Sequence, residues 1–302
     1  MSELILSSDP RPLGRSGLTV SPIAWGMWRF AGCDVPAARA RIDAAREASI
    51  TLFDTADIYG LDSEGFGTAE ALLGRVFGED RRLRDDIVLA TKGGIVPGTP
   101  YDSSTAYLLK ALDASLARLG VDHVDLYQIH RPDLLAHPAD VAAALTAMVE
   151  SGKVRAVGVS NHTPAQTAAL QAHLPFPLVS HQPELSPLAL APLFDGLLDQ
   201  AVERDMAVLA WSPLGGGRLT DGTGNAREKA VAAALGAKAE ACGVSLAAAT
   251  YAWLMAHPAR PIPIVGSQRP DRIREAADAF RIVWTRAEWY EVLQLSLGER
   301  LP

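Results

Sequence analysis

Four residues able to hold or move a proton fall at the ends of apolar runs. In "TLFDTADIYG" (51–60), Asp54 closes a hydrophobic stretch and Tyr59 follows five residues later, just ahead of Gly60. Lys92 ends "DIVLATK" and His130 ends "HVDLYQIH". Singly, each has an ordinary reading: Asp54 as a cap, Tyr59 as a rim aromatic, Lys92 as a solvated strand end, His130 as a satisfied rim histidine. Gathered on three successive strand ends they make a chemical set. A phenol titrates near 10, too high for efficient proton donation at neutrality, and a nearby ammonium is expected to lower it by stabilising the phenolate. Lys92 could supply that charge, Asp54 its counter-ion, and His130 a hydrogen bond to the phenol or to a substrate oxygen. The job this implies is general acid catalysis on a carbonyl.

Such a set needs a scaffold that brings distant strand ends to one rim. Eight short apolar runs read as strands: 21–27, 50–56, 86–92, 123–130, 153–160, 177–182, 206–212 and 261–267. Between them, stretches such as "VPAARARIDAAREAS", "TAYLLKALDASLARLG", "PADVAAALTAMVESG" and "SLAAATYAWLMAH" repeat apolar residues at three- and four-residue spacing and read as helices. The strand runs are continuous rather than alternating, as in parallel sheets buried on both faces. Eight strand-then-helix units predict an α/β fold, a (β/α)₈ TIM barrel with its site at the carboxyl ends of the strands. A doubly wound sheet is the alternative, but no glycine fingerprint follows the first strand. Additional helices are expected over 228–243 and 285–297, in the C-terminal half, and a flexible Gly-rich loop over 214–225. No linker divides residues 1–302, so a single domain is expected.

Composition narrows the function classes. A formal charge of −7 argues against a nucleic-acid or anionic-membrane footprint. No run reaches the roughly 18 apolar residues of a membrane span, and the N-terminus lacks the basic start and apolar core of a signal peptide, so a cytoplasmic location is expected. Cys33 and Cys242 have no CxxC spacing and read as reduced thiols. The seven histidines form no HExxH or Cys/His cluster, so no metal site is expected, and no GxSxG elbow favours hydrolase chemistry.

"FDTADIYG", "LATKGGI", "LYQIHRPD", "GKVRAVGVSN", "AWSPLGGGRLT" and "PIPIVGSQRPDRIREA", in this order, resemble the motifs of the aldo-keto reductase superfamily, in its bacterial predicted-oxidoreductase branch. The resemblance runs almost end to end. It implies a barrel that uses NADPH/NADP+ to reduce aldehydes or ketones, with Tyr59 as the acid, Lys92 and Asp54 tuning it, and His130 orienting the substrate. It implies that Ser160, Asn161 and Gln182 bind the nicotinamide carboxamide, and that Trp211 stacks on its ring. Read without the family, Trp211 is a core tryptophan, and Ser160 and Asn161 a helix cap before "TPAQ".

Gly26, Met27 and Trp28 are expected along the cofactor, with Ser212, Leu214 and Gly216 at the pyrophosphate, where Gly-rich backbone comes close. Gly266, Ser267, Arg269, Arg272 and Glu275 are expected at the adenosine end, where arginines match a 2′-phosphate. The sequence departs from the family at Gly266, where a lysine is frequent, and at Ala276, where an asparagine is. Trp28, Phe30, Tyr59 and His130 are expected to line the substrate pocket. Only "GERLP" follows the terminal helix, which suggests an open site and broad specificity. The expected partner is a small carbonyl compound, with a monomer as default. A cofactor-sensing regulatory subunit with slow turnover is the second reading, and a nicotinamide-free barrel isomerase or lyase a third.

Overall fold

The computed structural model describes residues 3–302. Each of the eight apolar runs contributes one strand: β1 (Ala24–Gly26), β2 (Leu52–Asp54), β3 (Val88–Gly93), β4 (Val124–Ile129), β5 (Val154–Ser160), β6 (Ser180–Gln182), β7 (Ala207–Ala210) and β8 (Ile262–Val265). Every neighbour pair is parallel, and β8 closes on β1 through Ile264 opposite Ala24 and Val265 opposite Trp25. The fold is therefore a closed (β/α)₈ TIM barrel. The continuous apolar runs are explained by burial on both faces. Leu52, Ala90, Leu126 and Leu209 pack inside the ring, whereas Phe53, Leu89, Tyr127 and Val208 pack under the helices.

Helix starts follow their capping residues. Asp34 accepts from Ala37 N at 2.9 Å at the head of Val35–Glu47, and Ser104 caps Thr105–Leu119. Thr163 with Gln166, Asn225 with Glu228, and Thr285 with Glu288 form reciprocal capping boxes. The cap before "PAQ" is thus Thr163, which frees Ser160 and Asn161 for the rim. The two additional helices span Ala226–Cys242 and Arg286–Leu297. The terminal one is stapled to helix Leu246–Met255 by Trp253 and Trp289. These rings stack at 4.8 Å, and each indole N–H donates to the other residue's carbonyl.

Some local structure goes beyond the sequence pattern. Arg11–Pro12 and Thr19–Val20 form an antiparallel hairpin whose Leu13 and Val20 pack with the barrel interior. Its turn needs Gly14, at φ +53°, because a Cβ there would stand 2.3 Å from Val179 O. Glu3–Leu4 pairs with Trp284–Thr285. The Gly-rich stretch expected as a flexible loop contains a tight turn at Gly215–Gly217 and a helical turn at Arg218–Asp221, tied by Arg218 Nε donating to Gly215 O at 3.1 Å. Cys33 and Cys242 are free thiols. Among the described residues no single helix is long and apolar enough to cross a membrane.

Candidate active site

The segment after β2 is pinned across the barrel rim by backbone bonds. Met27 N donates to Asp54 O, Thr55 N to Ala90 O and Asp57 N to Lys92 O, each within 3.0 Å. The chain then turns, with Tyr59 N donating to Ala56 O, and Gly60 at φ +102° lets it pass Thr68, whose hydroxyl would lie 2.0 Å from a Cβ. This path delivers the Tyr59 hydroxyl to Lys92. The ammonium donates to Asp54 Oδ2 at 2.7 Å, to Thr55 O at 2.9 Å and to Tyr59 Oη at 3.2 Å. An ammonium has three protons, and all three are spoken for. Lys92 is wholly buried, so it acts on the site through these partners and through the field of its charge.

The electrostatics revise one expectation. Burial pushes the Tyr59 phenol above its ordinary value; Lys92 opposes that shift without overcoming it, and Asp54 adds to it. Burial pulls Lys92 down, but Asp54 and Tyr59 outweigh it and hold the ammonium above its usual range. His130 is pushed well below the usual histidine range by burial, then by Lys92 and Arg131, and stands as a neutral imidazole, its ring 5.8 Å from that of Tyr59. The arrangement holds a protonated phenol and a neutral imidazole over a fixed positive charge. That is the equipment to protonate an oxygen as negative charge develops on it.

Asp54, Tyr59 and His130, with Lys92 buried behind them, line a cavity of about 970 Å³ along the carboxyl rim. Every residue expected at the cofactor lines it except Met27. Met27 and Phe30, expected at the cofactor and the substrate, are fully buried core residues, Phe30 edge-on to Trp25 at 5.5 Å. Both face inward because the five residues after β1 turn only Trp28 and Arg29 to solvent. Trp28 meets Tyr59 edge-to-face at 5.1 Å.

Trp211 is not a plain core residue, since it lines the cavity and its indole N–H donates to Asn161 Oδ1 at 2.9 Å. Asn161 and Ser212 are non-glycine residues in the left-handed region, at φ +59° and +51°. Such backbone concentrates at functional sites. At the far end Arg269 is turned onto Asp271 at 2.5 Å, which leaves Arg272, with no carboxylate partner among the described residues, and Ser267 to receive an anion.

The residues present fit a nicotinamide dinucleotide phosphate. The groove offers an aromatic face and amide oxygens at one end, glycine backbone in the middle and a guanidinium at the other. Gly266 lines it with nothing within 4 Å of a Cβ position, so a side chain there would stand in the groove.

Sequence reasoning missed Arg29, Arg131, Gln268 and Tyr251. Arg29 and Arg131 directly follow Trp28 and His130, an adjacency that could have drawn attention. The Arg131 guanidinium lies over the Trp211 ring at 5.6 Å. Gln268 ties the loop after β8 to β1 by donating to Gly26 O at 2.9 Å.

A family model described as Aldo/keto reductase family matches residues 22–296. A 6-dehydroglucose reductase from Novosphingobium aromaticivorans is 56% identical over 305 aligned residues, covering 100% of both chains. One from Agrobacterium fabrum is 40% identical, covering 94% of this chain and 97% of its own. Among solved structures, the thermostable aldo-keto reductase Tm1743, in complex with the inhibitor epalrestat, superposes with a TM-score of 0.82 at 25% identity, covering 95% of this chain and 99% of that one.

Proposed function

Because the chain belongs to the aldo/keto reductase family, we propose that it is an NADP(H)-dependent carbonyl reductase in which Tyr59 is the general acid and the substrate is a sugar-derived aldehyde. The observation that carries the reading is the bond from Lys92 Nζ to Tyr59 Oη, 3.2 Å long, behind a phenol that faces the cavity. A reduced nicotinamide bound in the groove supplies a hydride to the carbonyl carbon. Tyr59 gives its proton to the carbonyl oxygen, and the ammonium of Lys92 stabilises the phenolate left behind. The neutral His130 holds the oxygen in line. Asp54 keeps Lys92 charged in a place that water does not reach.

The residues that would hold the dinucleotide are Trp211 at the ring, Ser160, Asn161 and Gln182 at the carboxamide, Ser212 to Gly216 at the pyrophosphate, and Ser267 with Arg272 at the phosphorylated ribose. The relatives' names support a hexose-like substrate, and so does the mouth of the cavity. Trp28, 53% exposed, offers an apolar platform, and Arg29 and Arg131, with no carboxylate partner among the described residues, offer hydrogen-bond donors to hydroxyl groups.

The test compares wild type with Tyr59→Phe, following nicotinamide absorbance with a panel of aldehydes that includes 6-dehydroglucose. Turnover falling about 100-fold or more in the variant, with NADPH still bound, is the expected result. Binding without turnover in the wild type would move the protein to the sensor reading.

A further inference from the structure

Behind β3 and β4, outside the barrel ring, the buried polar groups do not balance in charge. Glu70 is wholly buried. Its Oε2 accepts from Arg118 Nε at 2.8 Å and from Nη2 at 2.7 Å, and its Oε1 accepts from Thr91 Oγ1 at 2.5 Å. That guanidinium is thereby matched. Inside the ring the ammonium of Lys92 is matched by Asp54, and its remaining protons go to Thr55 O and Tyr59 Oη. The fields of both pairs reach Asp57, which is 1% exposed and has neither oxygen partnered. Two acids behind the strands therefore share one guanidinium, and the second acid has no cation of its own.

Oxygen atoms without donors gather at the same place. Tyr127 on β4 is fully buried, and its hydroxyl has no partner. A Cβ on Gly93 would stand 2.2 Å from Tyr127 Oη and 3.3 Å from Asp57 Oδ2, so the two side chains converge over one backbone position that only glycine leaves open. The hydroxyls of Thr55, two residues before Asp57, and of Ser103, 3.4 Å from a Cβ position on Gly94, are also buried and unpartnered. A buried carboxylate facing other oxygens is held at high cost unless a positive charge joins it. One carboxylate matches one positive charge, and hard oxygen donors suit an alkali ion. Histidine and cysteine take no part, so their scatter along the sequence does not bear on it.

We propose that Asp57 and Tyr127 form a site for a monovalent cation, sodium or potassium, in which the carboxylate supplies the charge and the hydroxyl a further oxygen. Neither residue lines the large cavity, so the site stands apart from the groove. It stands close to the proton donor in the chain. Asp57 N donates to Lys92 O at 3.0 Å and Tyr59 follows two residues later, so an ion held there braces the turn that carries Tyr59 against β3 and β4.

The test is the melting temperature of the whole protein at about pH 9 in sodium, potassium and choline chloride, each at about 0.2 M so that screening is the same. Choline is too large to enter. At that pH the Asp57 carboxyl, which burial pushes up to about 8, has released its proton. An alkali ion at about ten times its dissociation constant should raise the melting temperature by about 2 to 3 °C over choline. Asp57→Asn carries no charge and should melt at one temperature in all three salts. Tyr127→Phe keeps the charge and loses an oxygen, so its difference between salts should shrink.

Wild type that melts equally in all three salts, or a difference that Asp57→Asn retains, would overturn the inference. So would a difference that Tyr127→Phe leaves whole. If Asp57→Asn does not fold, as judged by circular dichroism, the wild type and Tyr127→Phe decide by the same criteria. No nucleotide or aldehyde enters the measurement, so its outcome is independent of the proposed function.

Discussion

Lys92 Nζ lies 2.7 Å from Asp54 Oδ2, and neither side chain is more than 3% exposed. A buried ion pair contributes little when whole and costs much when halved. Lys92→Met keeps the length of the side chain and removes the charge, so Asp54 is left buried beside an apolar group. The variant is expected to lose about 3 kcal/mol of stability in urea unfolding. It should also lose about 100-fold or more in carbonyl reduction, because the developing phenolate loses its cation.

The raised phenol sets the direction of the pH dependence. The proposed mechanism needs a protonated Tyr59 for reduction, and the phenol keeps its proton throughout the neutral range. Reduction should therefore be flat through neutrality and fall only on the alkaline side of the ordinary tyrosine value. Alcohol oxidation needs the phenolate and should rise with pH over the same range. Initial rates in both directions between pH 6 and about 11 test this, with Tyr59→Phe abolishing both limbs.

Asp57, three residues beyond Asp54, is the acid the mechanism does not use. Both its oxygens are buried without a partner, as is the hydroxyl of Tyr127, and both side chains crowd the Cα of Gly93. Burial, and then Glu70, push its carboxyl up to about 8. The folded state thus binds a proton that the unfolded state releases near pH 4, so folding stability falls as pH rises from about 4 to about 8 and then levels. Asp57→Asn should remove this slope. The variant minus wild-type stability, measured by denaturant at several pH values, should climb through that window to a few kcal/mol.

The two arginines after β8 are expected to differ. Arg272 is free to meet a 2′-phosphate, whereas Arg269 is paired with Asp271. Arg272→Met should lower the preference for NADPH over NADH about 10-fold or more, and Arg269→Met much less. The ratio of kcat/KM values for the two cofactors measures it.

Arg131→Met should raise KM for a hydroxylated aldehyde about 10-fold and leave KM for a short aliphatic aldehyde unchanged, since only the first has groups for the guanidinium to hold. Equal effects on both substrates would place Arg131 in structural support of Trp211 instead.

The eight strands and the tetrad of Asp54, Tyr59, Lys92 and His130 were legible because burial on both faces writes long apolar runs, and polar residues at their ends stand out against them. Phe30 and Met27 were not. In "GMWRF" the choice of which side chains turn inward is made by the backbone path of a short loop, and composition does not encode that path. The hairpin of Arg11–Pro12 with Thr19–Val20 escaped notice because two-residue strands leave no period to read. Lys92 acts on Tyr59 in the expected direction, but the net shift of the phenol is upward, because the sequence shows which charges are present and not how much water the groups have lost.

The closure of the barrel by β8 on β1 has a consequence for how the protein is made. Asp54, Tyr59, Lys92 and His130 all leave the ribosome before residue 131, yet Gln182, Trp211 and Arg272 follow only later. Trp25, whose indole donates to Ser267 O at 3.0 Å, waits for a partner 242 residues downstream. A nascent chain therefore carries the proposed proton donor long before it has the groove proposed for the reductant, and the two meet only when the last strand arrives.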